Sequence, residues 1–314
     1  MALLSHRQGW SLAVLLAFFP CLFYASSTSD DPLTKYRIDT SEVRISFFAT
    51  DEHNHPVENL GKDDFAIVDG EMVVRDFRSL VRASDTAVDL VLLVDDSESI
   101  APRFQEVQQD ILKLISSDAL SANDRVTVVT FAGMRPTIFC VHDCGAPANR
   151  QRLLATKAEG STPLFDAVNY TADLVASQRV TTERTHAARQ IVILFSDGHD
   201  TISMASYHDA LQAMIASGAL LYAVNTDRSQ DSSSQGSRAL RQMAESTGGR
   251  SFELPGHTVD LLQSVLADLH ASYIVTYQLP NRNAGFHSLR ILPKHNLNLH
   301  FHCRKGYNYE NEDR

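Results

Sequence analysis

The chain has 314 residues, 44% hydrophobic and 21% charged, a composition that suits a globular protein of one large or two ordinary domains. Its formal net charge is −10, and no Lys/Arg-rich run interrupts it. An acidic chain without a basic stripe argues against a nucleic-acid partner and against binding to anionic lipid.

The amino terminus reads MALLSHRQGWSLAVLLAFFPCLFYASSTSDD. Arg7 supplies a positive start, Leu12 to Phe23 an apolar run broken by Pro20, and Ala25 and Ser27 a small-x-small cleavage site. The run falls short of the about 20 apolar residues a membrane span needs, so residues 1–27 read as a signal peptide. The mature protein is then secreted, periplasmic or held at the cell surface. Membrane contact follows only if this segment stays uncleaved as an anchor.

Residues 34–82 read as β structure. In EVRISFFATDE, Val43, Ile45, Phe47 and Ala49 alternate with Arg44, Ser46 and Thr50, which predicts a half-buried strand. FAIVDGEMVVRDF predicts two short strands joined by a turn around Asp69-Gly70.

From about residue 86 to 272, strands and helices alternate. Strands are predicted at 89–95, 125–133, 136–140, 189–197, 219–226 and 250–255, and helices at 103–117, 163–178, 204–217, 237–247 and 258–271. The runs at 89–95, 191–195 and 219–224 are continuously apolar, as parallel strands covered on both faces are. The expected fold class is therefore α/β, with a doubly wound, mostly parallel sheet. PTIFC (136–140) follows its predecessor too closely for a helical crossover and should pair antiparallel at an edge.

After residue 272 the β pattern returns through 273–309. Each strand-rich end is too small for a stable sheet of its own. The two are expected to combine into one small β-sandwich-like domain, with the α/β domain inserted between them.

Beyond the leader, three cysteines remain. Cys140 and Cys144, in CVHDC, could close a small disulfide loop worth about 2 kcal/mol, or with His142 and Asp143 hold a metal. Cys303 falls on one face of NLNLHFHCR with Leu297, Leu299 and Phe301 and reads as a buried free thiol. His300 and His302, like His53 and His55 in HNHP, read as solvated side chains, with metal binding as the sharper reading.

The chemistry concentrates where strands end. DLVLLVDDSESI passes from an apolar run into Asp95, Asp96, Ser97, Glu98 and Ser99. Ligands of open α/β sheets sit beyond the carboxyl ends of the strands. There the first strand supplies Asp95, Ser97 and Ser99, the strand ending LFSDG supplies Asp197, and GSTPLFDAV places Thr162 just before a helix. These five donors are hard oxygens without thiolate or imidazole, which suits Mg²⁺, with Mn²⁺ or Ca²⁺ as alternatives, and disfavours Zn²⁺. If the hydroxyls bind directly and the two aspartates act through water, the ion stays electrophilic. It then seeks an anionic ligand, such as a carboxylate of another protein.

DDSES, GSTPLFDAV and LFSDG, in this order, resemble the metal-ion-dependent adhesion site (MIDAS) of von Willebrand factor A domains, over about residues 86–272. The flanks are similar to the ends of the secreted "VWFA-related" proteins of acidobacteria. The resemblance implies an exported, non-enzymatic adhesion or interaction module that binds a protein ligand through Mg²⁺, without a small-molecule substrate. Glu98 stands where many members of the family have Gly. It and Asp96 are accessory acids that either face solvent or add charge beside the metal.

Three other readings compete. The same fold could serve without metal, as a scaffold in an extracytoplasmic complex, with Asp95 and the serines capping a helix or bonding the turn. A phosphotransfer domain would need a lysine after a later strand, and ALLYAVNTDRS has none. A hydrolase built on Ser196, Asp197 and His199 lacks the G-x-S-x-G elbow, and three residues of one loop do not make a relay. Asn169-Tyr170-Thr171 is a glycosylation sequon inside a predicted helix.

Overall fold

A computed structural model describes residues 42–83, 87–116, 120, 123–181, 188–227, 229, 231–253 and 258–309. The expected signal peptide lies outside these residues. The chain opens with strands β1 (Glu42–Thr50), β2 (Phe65–Asp69), β3 (Met72–Val73) and β4 (Phe77–Arg82). It continues through β5 (Val88–Asp95), a 3₁₀ turn (Glu98–Ile100), α1 (Phe104–Ile115), β6 (Arg125–Phe131), β7 (Thr137–Val141), α2 (Pro147–Ala155) and α3 (Leu164–Thr181). Then come β8 (Arg189–Ser196), α4 (Tyr207–Ser217), β9 (Leu220–Asn225), α5 (Gln235–Thr247), β10 (Ser251–Glu253) and α6 (Thr258–His270). It closes with β11 (Tyr273–Gln278), β12 (Gly285–Pro293), β13 (His300–Cys303) and β14 (Gly306–Tyr309).

The six-stranded sheet has the order β10-β9-β8-β5-β6-β7, parallel except for β7, which pairs antiparallel with β6 at the edge. All eight residues of β5 are buried. Alternation explains how: Leu90, Leu92 and Val94 pack with α1 and α6, while Val91 and Leu93 pack with α3, α4 and α5. One apolar strand thus feeds two cores, which is why it has no polar face. The chain steps from β5 to β6 on one side and later to β8 on the other, so the topological switch point falls between β5 and β8.

Helix limits follow local caps. Ser206 and Asp209 form a reciprocal capping box, so α4 starts at Tyr207 and not at 204, and Gly218 ends it in the left-handed region at φ 70°. The α2 helix escaped the sequence pattern because it is short, begins at a proline and buries only Leu153.

The flanking segments fold together as two four-stranded sheets, β13-β1-β11-β4 and β14-β12-β2-β3. The pairings β1–β11, β1–β13, β4–β11 and β2–β12 each join an early strand to a late one. An aromatic cluster fills the space between the sheets: Phe47 lies 5.1 Å from Phe65 and 5.6 Å from Tyr273, ring centre to ring centre. The tight β2–β3 turn places Gly70 and Glu71 at φ 52° and 74°, the paired positive angles of a two-residue hairpin.

Three expectations change here. Thr50 and Phe48 are fully buried, so the carboxyl half of β1 is covered on both faces, because Phe48 leaves the sandwich and joins the α/β core beside Tyr222. Leu297 is 75% exposed and β13 begins only at His300, so Cys303 is a half-buried free thiol on a shorter strand. His302 is not solvated; it stacks on Phe48 at 4.5 Å and hydrogen-bonds the Thr50 hydroxyl at 3.1 Å. Cys140 and Cys144 are joined as a disulfide at the end of β7.

Two outcomes follow from this packing. A chain lacking residues 42–83 should lose hydrogen-exchange protection across β11 to β14, because β11 would lose both neighbours. Protection unchanged from the parent would contradict the pairing. Burial, with the positive charge of Arg250, lowers His302 to about 4. The neutral ring is the folded form, so its contribution to stability is whole above pH 6.5 and is lost as the pH falls from 6.5 towards 4. His302→Gln should flatten that part of the denaturation profile.

Candidate functional site

Asp95 is the last residue of β5 and is wholly buried. Parallel pairing in register carries β8 alongside, Val94 opposite Phe195, so Ser196 and Asp197 arrive next to Asp95. The Asp95 carboxylate accepts hydrogen bonds from the Ser97 backbone N–H at 3.0 Å and the Ser196 hydroxyl at 2.7 Å. The first bond turns the chain sharply out of the strand and into the 3₁₀ turn, bringing Ser97 and Ser99 back over the strand end.

Thr162 comes from the loop before α3. Its hydroxyl lies 2.9 Å from Ser97 Oγ, which in turn lies 3.1 Å from Ser99 Oγ. Three hydroxyls from two distant segments therefore share one point. Ser97 and Thr162 are buried and Ser99 is exposed, which sets the cluster at the floor of an opening to solvent. Asp197, also buried, accepts the His199 backbone N–H at 2.9 Å, and its charge acts on Asp95.

The electrostatics are one-sided. Desolvation pushes Asp95 up to about 7, and the neighbouring Asp197 charge adds to the rise, against the hydrogen bonds from Ser97 and Ser196. Asp96 is pushed up to about 6 by burial, and one of its carboxylate oxygens has no hydrogen-bond partner. Glu98 is exposed on the 3₁₀ turn.

A hard cation fits this donor set. Oxygens on adjacent corners of an octahedron with bonds of about 2.1 Å stand about 3 Å apart. The 2.9 and 3.1 Å separations among the hydroxyls match that edge. Among the described residues, no group of three or more His, Cys, Asp or Glu side chains is placed to hold a metal, so an ion here would depend on the hydroxyls.

Other residues hold the site in shape. Thr201 and Thr162 exchange bonds: the Thr162 N–H donates to Thr201 Oγ1 at 2.8 Å, and the Thr201 N–H donates to the Thr162 carbonyl at 2.9 Å. Asp200 and Ser203 cap the first turn of α3, with Ser203 Oγ accepting from the Phe165 N–H at 3.0 Å. Thr201, Asp200 and Ser203 were not singled out from the sequence, although SDGHDTIS after β8 is as rich in oxygen as DDSES after β5. The Ser196 hydroxyl donates its hydrogen bond to Asp95, not to His199 as the hydrolase reading would need.

Backbone contact locks Asp197. Gly198 sits at φ 78°, and Gly236 at the start of α5 packs so closely that an added Cβ would lie 2.3 Å from the Asp197 carbonyl oxygen. Gly236→Ala should therefore cost about 1–3 kcal/mol in urea denaturation. Gly145→Ala, where the nearest atom is a side-chain methyl at 3.4 Å, is the control and should change little.

The sequence profile of the von Willebrand factor type A domain matches residues 89–265. No curated protein matches the chain. Among solved structures, proximal thread matrix protein 1 of the mussel byssus with a zinc-occupied MIDAS motif aligns at a TM-score of 0.45 and 17% identity, over 61% of this chain and 50% of that one. An aerotolerance-related membrane protein from Bacteroides fragilis aligns at 0.44 and 14% identity, over 58% of this chain and 98% of that one. The pilus adhesin SpaC of Lactobacillus rhamnosus GG aligns at 0.43 and 10% identity, over 82% and 46%. The chain thus spans half or less of the mussel protein and the adhesin, and at these scores none of the three bears on function.

Proposed function

Because this chain belongs to the von Willebrand factor type A domain family, we propose that it is a non-enzymatic interaction module whose divalent cation docks an acidic group of a partner protein. Ser97, Ser99 and Thr162 would hold the ion directly, and Asp95 and Asp197 would orient its waters. Mg²⁺ is the ion favoured by an all-oxygen set that includes three neutral hydroxyls, with Mn²⁺ and Ca²⁺ as substitutes. When bound, the cation supplies positive charge that neutral hydroxyls leave largely uncompensated, and a carboxylate completes it.

The observation that carries this reading is the meeting of Ser97, Ser99 and Thr162 hydroxyls beside the buried Asp95. In the same reading, residues 34–82 and 273–309 form a β-domain that receives the α/β domain of residues 86–272. Its strands reach the amino ends of β8 and β9, which leaves the carboxyl ends of the sheet to the partner. Export is supported by the leader-like amino terminus and by the Cys140–Cys144 disulfide, a bond of oxidising compartments. Among the described residues no helix is long and apolar enough to cross a membrane.

Thr162→Ala should weaken Mg²⁺ binding at least about tenfold in calorimetry while leaving the unfolding midpoint in EDTA near that of the parent. An unchanged Mg²⁺ isotherm counts against the site. Pull-down from the native cell surface in Mg²⁺ and in EDTA tests the partner: proteins retained equally in EDTA would favour a metal-free scaffold.

A further inference from the structure

Among the described residues, the two most exposed large apolar side chains are Met204, at 98%, and Met134, at 88%. They come from different loops, and both loops are tied to the segment that carries Thr162. Apolar side chains scattered singly over a surface need no explanation, but the two most prominent ones meeting at one place do.

Backbone hydrogen bonds fix both loops. Met134 follows β6, and the N–H of its neighbour Gly133 donates at 2.8 Å to the carbonyl of Ser161, the residue before Thr162. Met204 follows β8, on the other side of β5. Its own N–H donates to Asp166 Oδ2 at 3.0 Å, in the first turn of α3, and the Ala205 N–H donates to the other oxygen at 2.8 Å. Ile202, 43% exposed, follows Thr201, the residue that exchanges hydrogen bonds with Thr162. The backbone is therefore already ordered, and covering these side chains costs little beyond their own rotamer freedom. Methionine, unbranched and polarisable, adapts to an irregular partner surface.

The exposed charges around the same loops are of both signs. The Glu98 N–H donates to the Gly160 carbonyl at 3.0 Å, and the Glu159 N–H donates to the Asp96 carbonyl at 2.8 Å, so both acids stand beside the Thr162 segment. Arg135, next to Met134, and Lys157 are exposed as well. Two acids against two bases give a partner rich in carboxylates no net attraction, which leaves selection to the apolar side chains. On the cation-docking reading above, we propose that Met134, Ile202 and Met204 form an apolar rim that selects protein segments whose docking acid is flanked on both sides by large apolar side chains. The acid meets the cation at Ser97, Ser99 and Thr162. Its apolar neighbours cover Met134 on the β6 side, and Ile202 with Met204 on the β8 side.

The test uses the full chain and immobilised synthetic peptides with a central Glu, flanked on each side by Leu and Phe or by Ser and Gly, in Mg²⁺ and in EDTA. Binding should require Mg²⁺, be lost when Gln replaces the central Glu, and be at least about tenfold tighter with the apolar flanks. Met134→Ser and Met204→Ser should each weaken binding of the apolar-flanked peptide about three- to tenfold. Both should leave the Mg²⁺ isotherm unchanged, since neither residue donates to the ion. Met72→Ser, at a 46% exposed residue of β3, should bind as the parent does. A chain that takes up Mg²⁺ but holds both peptides equally or neither, or keeps the parent's selectivity in the Met134→Ser, Met204→Ser double variant, overturns the rim and leaves the cation site standing. A chain that takes up no Mg²⁺ overturns both. Apolar-flanked peptide held equally in EDTA, or with Gln at its centre, overturns the link between rim and cation. A Mg²⁺-dependent dimer in sedimentation, lost in Met204→Ser, makes a second copy of the chain the occupant and overturns the assignment.

Discussion

The in-register parallel pairing of β5 with β8 is the constraint on which the rest depends. It aligns Val94 with Phe195 and so delivers Asp95, Ser196 and Asp197 side by side at one strand end. Desolvation makes Asp95 costly to ionise there, and the neighbouring Asp197 charge adds to that cost. The pairing is affordable because both strands are apolar along their length and feed cores on either side of the sheet. Hydrophobic burial thus holds an electrostatically unfavourable group of oxygens in place, the kind of perturbed group that clusters at functional sites.

The same sheet has different chemistry at its two ends. Carboxylates and hydroxyls crowd the carboxyl ends of β5 and β8, whereas Arg189 lies at the amino end of β8, with Arg44 and Arg304 of the flanking strands lining one cavity with it. At the amino end the basic groups stand near acids of their own: Asp89 pairs with Arg125 at 3.0 Å, and the charge of Asp124 acts on Arg189.

Strand β1 couples the two parts of the molecule. Phe47 points into the aromatic core of the sandwich, and Phe48 points the other way, against Tyr222 and His302. Consecutive side chains of a strand face opposite sides, so one dipeptide serves two cores. Arg250 stands 5.6 Å from the Phe48 ring and bonds the buried Asp268 at 2.6 Å, adding a polar tie to the same contact.

By itself the sequence determined the α/β class and an antiparallel edge strand expected at 136–140 and found at 137–141, because these follow from periodicity and from connection length. It also singled out Asp95, Ser97, Ser99, Thr162 and Asp197, since oxygen-bearing residues at strand ends stand out against apolar runs. Tertiary structure alone decided that Phe48 and His302 lie between the two parts, that Ser196, Thr201 and Ser203 brace the site, and that Gly236 fixes Asp197. It also decided that arginines from three separate strands and bends would line one cavity. Each of these is a contact between segments far apart in the chain, where local pattern carries no information about which faces meet.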